Sequence, residues 1–405
     1  RATSGVINWH RTSREAQEHL RKVGLEDNPN TLIADIGVGK QQLVEIAKAI
    51  AKDVKLLILD EPTAALNDKE SDQLLRLLVE LKSHGITSIL ISHKKNEVSR
   101  VSDAITVIRD GHVIETIYKD KDIVDEDRII RSMVGRPLVD RFPDRTPDIG
   151  EVLFEVKDWC VFHPQDDAKQ VIKNASFYVR KGEVVGFAGL MGAGRTELAM
   201  SLFGKVWGKK HSGQIFKEGR ELHLNTVSSA IAEGIAYVTE DRKTYGLILI
   251  NDIMKNISLA SLNKVSRYSV INSHEEVRQV EQACRDMRIK CSGIAQRVEN
   301  LSGGNQQKVV LIKWVQTQPD VMILDEPTRG IDVGAKYEIY TIINRLASQG
   351  KSVVMISSEM PELLGMCDRI YVVTDGEIVG ELSRGEATQE SIMKCIMTAQ
   401  KRRKE

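Results

Sequence analysis

Four short stretches of the chain carry residue types that could work on phosphate. "LLILDEPTAALND", residues 56–68, and "MILDEPTRGIDV", residues 322–333, each end an apolar run on an Asp–Glu pair. An aspartate at the end of a buried strand, here Asp60 or Asp325, can hold Mg2+ through water. The glutamate beside it, Glu61 or Glu326, can orient and polarise an attacking water. A third stretch, "GLMGAGRTEL" at 189–198, has the glycines of a phosphate loop between an apolar run and a helical one. Gly189, Gly192 and Gly194, with the small Ala193 among them, let backbone N–H groups approach phosphate oxygens, and a helix start favours negative charge. Thr196 supplies a hydroxyl for Mg2+, but Arg195 stands where a lysine would meet the phosphates. Arginine keeps the charge and can fork two hydrogen bonds, yet its planar head is not a point charge. Alone, such a loop is equally compatible with a tight turn. The fourth stretch is "LSGGNQQ", residues 301–307, where Ser302, Gly303, Gly304 and Asn305 open a helix and bring a hydroxyl and several amides to one spot. A lone SGG also serves as a plain helix cap.

An internal repeat ties these stretches together. Asp60 and Asp325, Gly39 and Gly304, His93 and Ser358, and Asp103 and Asp368 all stand 265 residues apart, each within similar flanks. An Asp–Glu pair that merely starts a loop does not explain two copies with the same surroundings. The elements that must position these residues are legible from periodicity. "KLLILD", "TSILIS", "EVVGFAG", "VMILD" and "SVVMIS" are short continuous apolar runs, which suit strands buried on both faces of a mostly parallel sheet. Helical runs such as "QQLVEIAKAIAK" and "KYEIYTIINRLASQG" separate them, an α/β layered pattern. "TSREAQEHLRKVGL" predicts a further helix, opened by a Thr12–Glu15 capping box and closed near Gly24.

The offset also predicts the domains. The first-copy counterpart of the glycine loop falls upstream of Arg1, so a first domain at residues 1–140 is expected to be represented by its C-terminal part only. Around 135–151 the sequence becomes "GRPLVDRFPDRTPDIGE", proline-rich and without periodicity. A linker is expected at 141–150 and a complete second domain at 151–405. Fifty-seven basic residues balance fifty-seven acidic ones, which argues against a nucleic-acid binder. Five scattered cysteines without a CxxC read as reduced thiols, not as a metal site or disulfide frame. No apolar run approaches the roughly 18 residues of a membrane-spanning helix.

With LSGGN before one DEP strand, "EPTRGID" after it and a switch position beyond the next strand, the chain resembles the ATPases of ABC transporters. Together, "GLMGAGRTE", "YVTEDRK" and "LSGGNQQK" resemble the fused twin-cassette subunits of monosaccharide importers, most of all the xylose or multiple-monosaccharide type, over essentially the whole chain. The resemblance implies two tandem P-loop NTPase cassettes, each a mostly parallel sheet core with a helical subdomain, the first incomplete. It implies ATP and Mg2+ as ligands, with each ATP between one cassette's P-loop and the other's signature. One composite site would combine Asp60, the base Glu61 and the γ-phosphate-contacting His93 with residues 301–305. The other would combine residues 189–196, Asp325 and Glu326 with the altered signature "IGVGK" at 36–40, where Gly37 replaces the serine. There Ser358 takes the histidine's position and Glu240 that of the Q-loop glutamine. That set predicts a site that binds ATP and hydrolyses it poorly.

The family's adenine-stacking aromatic would be Trp159 or Phe162, either of which could instead belong to the core; His163 is a weaker candidate. Residues 240–256, "EDRKTYGLILINDIMKN", would meet a permease, with "YGLILI" either a docking surface or a buried segment. The implied partners are integral-membrane permease subunits, a periplasmic or lipid-anchored sugar-binding protein acting indirectly, and, as an option, a second copy of the ATPase chain. No nucleic acid is expected, and the implied location is peripheral, on the cytoplasmic face of the cell membrane. Nucleosides or other small polar solutes are an alternative cargo. Soluble twin-cassette ATPases of ribosomes or DNA are a more distant alternative, disfavoured by the short mixed linker and zero net charge.

Overall fold

The computed structural model describes residues 2–3, 6–33, 36–52, 54–63, 66, 68–92, 95–109, 111–123, 125–134, 142–190 and 192–402. The chain divides into two compact units, residues 1–138 and 139–405.

The second unit is organised by a six-stranded sheet in the order Ile235–Val238, Val321–Asp325, Ser352–Ile356, Val184–Gly189, Arg369–Thr374, Glu377–Ser383. The first five strands are parallel and the sixth closes the edge antiparallel. Each of the first four is buried at every position, as continuous apolar runs covered on both faces should be. A separate four-stranded antiparallel sheet joins the same core through Phe154, Val156 and Phe177. Helices Ile253–Ser258, Ser273–Asp286 and Gly303–Val315 form the helical part, where Ile253 and Ile257 are wholly buried. The register decides where chemistry can happen. Asp325 lies opposite Ile356, and Ile356 opposite Phe187, so the loops that follow these strands share one edge of the sheet. The C-terminal edge of a parallel sheet is where such folds bind ligands.

In the first unit, Leu56–Asp60 and Thr87–Ile91 form a parallel pair with Asp60 opposite Ile91, the same register as Asp325 and Ile356. Burial on both faces does not hold here. Ile58 is 62% exposed, whereas its repeat partner Ile323 is 2% exposed. The two strands form a sheet by themselves, and Leu56, Ile89 and Ile91 share the open face. Their other face packs on Leu43, Ile46, Leu74 and Leu78. The hairpin Ala104–Arg109 with His112–Tyr118 has its own small cluster around Ile117 and Ile129.

Two local expectations change. The helix expected to open at Thr12 runs Trp9–Lys22, and its N-cap is Asn8, whose Oδ1 accepts from the Arg11 amide at 3.0 Å. Asparagine caps at least as well as threonine. Thr12 sits one turn inside, donating to the Asn8 carbonyl, and Glu15 is engaged by Arg11. Residues 142–150 contain neither helix nor strand, yet they are not a loose spacer. Phe142 stacks at 5.2 Å on Tyr340, in a space that exists because residue 365 is glycine: a Cβ there would lie 2.3 Å from the Phe142 ring. Asn344 donates to the Pro143 carbonyl at 2.9 Å. Arg145 pairs with the buried Asp368 and donates to the Gly182 carbonyl at 2.8 Å. The segment is a strap fastened to the second unit.

Candidate functional site

Strand Val184–Gly189 runs into the glycine loop, and helix Arg195–Leu202 leaves it. A Cβ on Gly189 would lie 2.5 Å from the Val373 carbonyl oxygen, so no side chain fits. Gly192 and Gly194 adopt φ of +75° and +96°, which glycine tolerates without strain. Gly194 is the N-cap, and no side chain caps this helix. Ala193 is buried behind the loop.

Beside the loop lies Asp325, with no exposed surface. Tyr237 donates its hydroxyl to Asp325 Oδ2 at 3.0 Å, while Oδ1 has no hydrogen-bond partner. The Thr196 side chain also interacts with this carboxyl and works to lower its pKa. Burial outweighs that and pushes Asp325 up to about 6. A buried carboxylate with an orphaned oxygen next to a hydroxyl fits a cation ligand. Among the described residues no three His, Cys, Asp or Glu converge as a complete metal cage. Mg2+ commonly uses one or two protein oxygens and takes substrate phosphates for the rest.

Glu326 follows in the left-handed region at φ 46°, its amide donating to the Ile356 carbonyl at 2.9 Å. Burial pushes its carboxyl up to about 7, a range suited to a general base. Ser358, at the switch position, donates to Glu326 Oε2 at 3.1 Å. Arg195 is turned inward: only 8% exposed, it donates to the Ser357 carbonyl at 2.7 Å in the field of Glu326 and Asp325. Burial lowers its pKa. Glu240 is likewise engaged, paired with Arg329 in the loop after Glu326.

The helix Gly303–Val315 begins at Ser302, whose side chain makes no cap bond to the backbone. Asn305 instead donates to Ser302 Oγ at 3.0 Å and accepts from the Lys290 amide, which fixes the serine beside the helix start. A Cβ on Gly304 would meet Ala335 Cβ at 2.6 Å, and one on Gly303 would meet the Arg242 guanidinium at 2.9 Å. The first unit repeats the backbone without the hydroxyl. Gly37 caps Val38–Ile50 at φ −60°, ψ 153°, against −61° and 156° at Ser302. Glu61 likewise repeats Glu326, with φ 49° and its amide on the Ile91 carbonyl at 2.8 Å. Asp60 ends its strand as Asp325 does, but it is exposed. His93 lies outside the described residues.

Trp159 lies in the interior of the second unit. It is 4% exposed, and its indole N–H donates to Ser201 Oγ at 3.0 Å within the core. It belongs to the core cluster, the alternative left open for it. Phe162 is half-buried with Lys210 over its ring, and His163 meets Trp207 edge-on.

A family profile described as ABC transporter matches residues 3–64 and 172–329. An L-arabinose transport ATP-binding protein of Geobacillus stearothermophilus is 60% identical over 396 residues, 98% of this chain and 77% of that protein. The chain belongs to the ABC transporter ATPases. A xylose import ATP-binding protein of Thermoanaerobacter pseudethanolicus is 49% identical over 96% of the chain and 77% of its own length. A ribose import ATP-binding protein of Clostridium perfringens is 44% identical over 97% and 77%. A solved ATP-binding cassette of an ABC transporter, at 16% identity and TM-score 0.52, shares the fold over 61% of this chain and 99% of its own.

Several residues of the ABC site were not anticipated. Tyr237, which holds Asp325, opens the "YVTEDRK" motif, but its place in an apolar strand does not show that its hydroxyl reaches Asp325. Arg242 donates to the carbonyls of Arg329 and Gly330 at 2.8 and 3.2 Å, joining the 240s segment to the loop beyond Glu326. It belongs to the "YVTEDRK" motif, but the motif does not show where it points. Within 240–256, Tyr245 and Ile250 are largely exposed and Leu247 is buried, so "YGLILI" is part surface and part core. Lys313 of the signature helix donates to the Gly246 carbonyl at 2.5 Å, and burial pushes its pKa down to about 8.

Proposed function

We propose that this chain is the ATP-hydrolysing subunit of an importer for monosaccharides, with pentoses the favoured cargo. The relatives described above are named for L-arabinose, xylose and ribose, and all three are pentoses. Thr196 and Asp325 would hold Mg2+ at the second cassette, where the ion would supply positive charge to offset that of the phosphates. This chain's own residues would do the rest. Loop amides at 189–194 would cradle phosphates, Glu326 would orient water, and Tyr237 would fix Asp325.

The two cassettes would be unequal. The hydroxyl missing at Gly37, Ser358 in place of a histidine, and Arg195 and Glu240 held by other groups all point to a second site that binds ATP more readily than it cleaves it. Glu61, His93 and the 301–305 signature would serve the faster site. The observation that carries this reading is the matched pair Ser302 and Gly37, alike in backbone and unlike in hydroxyl. Single-turnover ATP cleavage by the assembled importer with Glu61→Gln tests it: cleavage should nearly vanish, and substantial remaining turnover would show that the second site works. Uptake of labelled arabinose, xylose and ribose by cells complemented with wild type or Glu61→Gln identifies the cargo.

No helix of the described residues is long and apolar enough to cross a membrane; a separate permease would carry the sugar. Tyr245, Ile248 and Ile250, exposed on the segment braced by Arg242 and Lys313, would form the docking surface on the cytoplasmic face. A sugar-binding protein would act through the permease.

A further inference from the structure

Each cassette repeats one threonine–glutamate bond that the site described above does not use, buried in the second and partly buried in the first. In the second, Glu362 of helix Met360–Met366 is 2% exposed and accepts from the Thr328 hydroxyl. It also accepts from Tyr340 at 2.5 Å and Ser357 at 2.6 Å, with Lys336 at 3.5 Å. In the first cassette, Thr63 is 1% exposed and donates to Glu97 Oε2 at 2.6 Å. The spacing is the same in both. Each threonine stands two residues after the base, Glu61 or Glu326. Each glutamate stands four residues after the switch position, His93 or Ser358.

The partners around this bond differ between the copies. Tyr340 and Lys336 of the second cassette correspond to Leu75 and Ser71 of the first. The signature serine and the switch histidine also differ. The threonine–glutamate bond persists through that divergence. A buried carboxylate is costly unless its oxygens are satisfied, so such a bond is strongly specified once present. It joins the loop that carries the base to the segment that follows the switch position. Ser357 extends the connection: its hydroxyl donates to Glu362 and its carbonyl accepts from Arg195.

We propose that Glu97 and Glu362 are positioning residues that, through Thr63 and Thr328, set the base loop against the switch loop in each cassette. The inference rests on the reading of Glu61 as the base of the faster site. Its test is steady-state ATPase of the assembled importer carrying Glu97→Ala, Thr63→Val, both together, Glu97→Gln, and Glu61→Gln as reference. For Glu97→Ala and Thr63→Val the expected kcat loss lies between about 10- and 100-fold, the scale of a small misplacement, with KM for ATP within about twofold. The double variant should be no worse than the worse single, and Glu97→Gln, whose carbonyl can still accept from Thr63, should keep most of the rate. Multiplying single losses, a Gln variant as poor as Ala, or unchanged kcat in both Glu97→Ala and Thr63→Val would overturn the proposal. Thr63→Val is nearly isosteric, so a folding failure of Glu97→Ala still leaves a readable variant. Wild-type turnover in Glu61→Gln would instead sink the base assignment, a separate outcome.

Discussion

Asp325→Asn should make the nucleotide-free second cassette more stable while removing its response to Mg·ATP. Asp325 has no exposed surface, and burial pushes its carboxyl up to about 6, well above the ordinary aspartate range. The folded state therefore binds a proton more tightly than the unfolded chain does. Stability from this group is fully present below about pH 4 and is lost as pH rises through about 6. At pH 8 the ionised form costs roughly 3 kcal/mol, from about two pKa units at about 1.4 kcal/mol each. At pH 5 the same linkage leaves roughly half of that. Asparagine has the same shape, carries no charge and can still accept from Tyr237. Urea unfolding followed by tryptophan fluorescence is the assay, since Trp159, Trp207 and Trp314 all lie in the second unit. The variant's advantage should be a few kcal/mol at pH 8 and clearly smaller at pH 5. Adding Mg·ATP should raise the wild-type midpoint and leave the variant's nearly unmoved. A variant less stable than wild type at pH 8, or an advantage independent of pH, would refute the idea that this carboxylate is held against an energetic cost for a cation.

Two further outcomes separate structural residues from functional ones. Trp159→Phe should lower stability by about 1–2 kcal/mol through the lost bond to Ser201 and the smaller ring, with ATP affinity within about twofold of wild type by titration calorimetry. Gly365→Ala should force Phe142 off Tyr340 and cost about 1–3 kcal/mol, read as a lower urea midpoint and faster proteolysis between residues 135 and 150; adding Phe142→Ala should recover part of the loss.

What the sequence made visible was whatever is fixed within a few residues or by the repeat. The apolar runs ending at Asp60, Gly189 and Asp325 became parallel strands, buried throughout at Gly189 and Asp325 and on one face only at Asp60. The glycines of the phosphate loop have positive φ or no room for a Cβ, both local constraints. What stayed hidden depends on partners far along the chain. Arg195 turns inward because a carbonyl 162 residues away accepts its proton. Trp159 is core because Ser201 meets its indole. The strap at 142–145 is pinned by Tyr340, Asn344 and Asp368, and prolines there gave no hint of it. The open face around Ile58 was equally unreadable, since the run "LLILD" looks the same whether a strand is flanked once or twice.

Glu61 and Glu326 share a left-handed backbone that only glycine adopts freely. For any other residue that geometry costs about 1–2 kcal/mol. Glutamine or alanine placed there would inherit a similar penalty, so differences among them report on the carboxylate itself and not on the turn. Glycine would relieve the turn's strain while removing the carboxylate. Both copies thus place a carboxylate at a corner that costs folding energy.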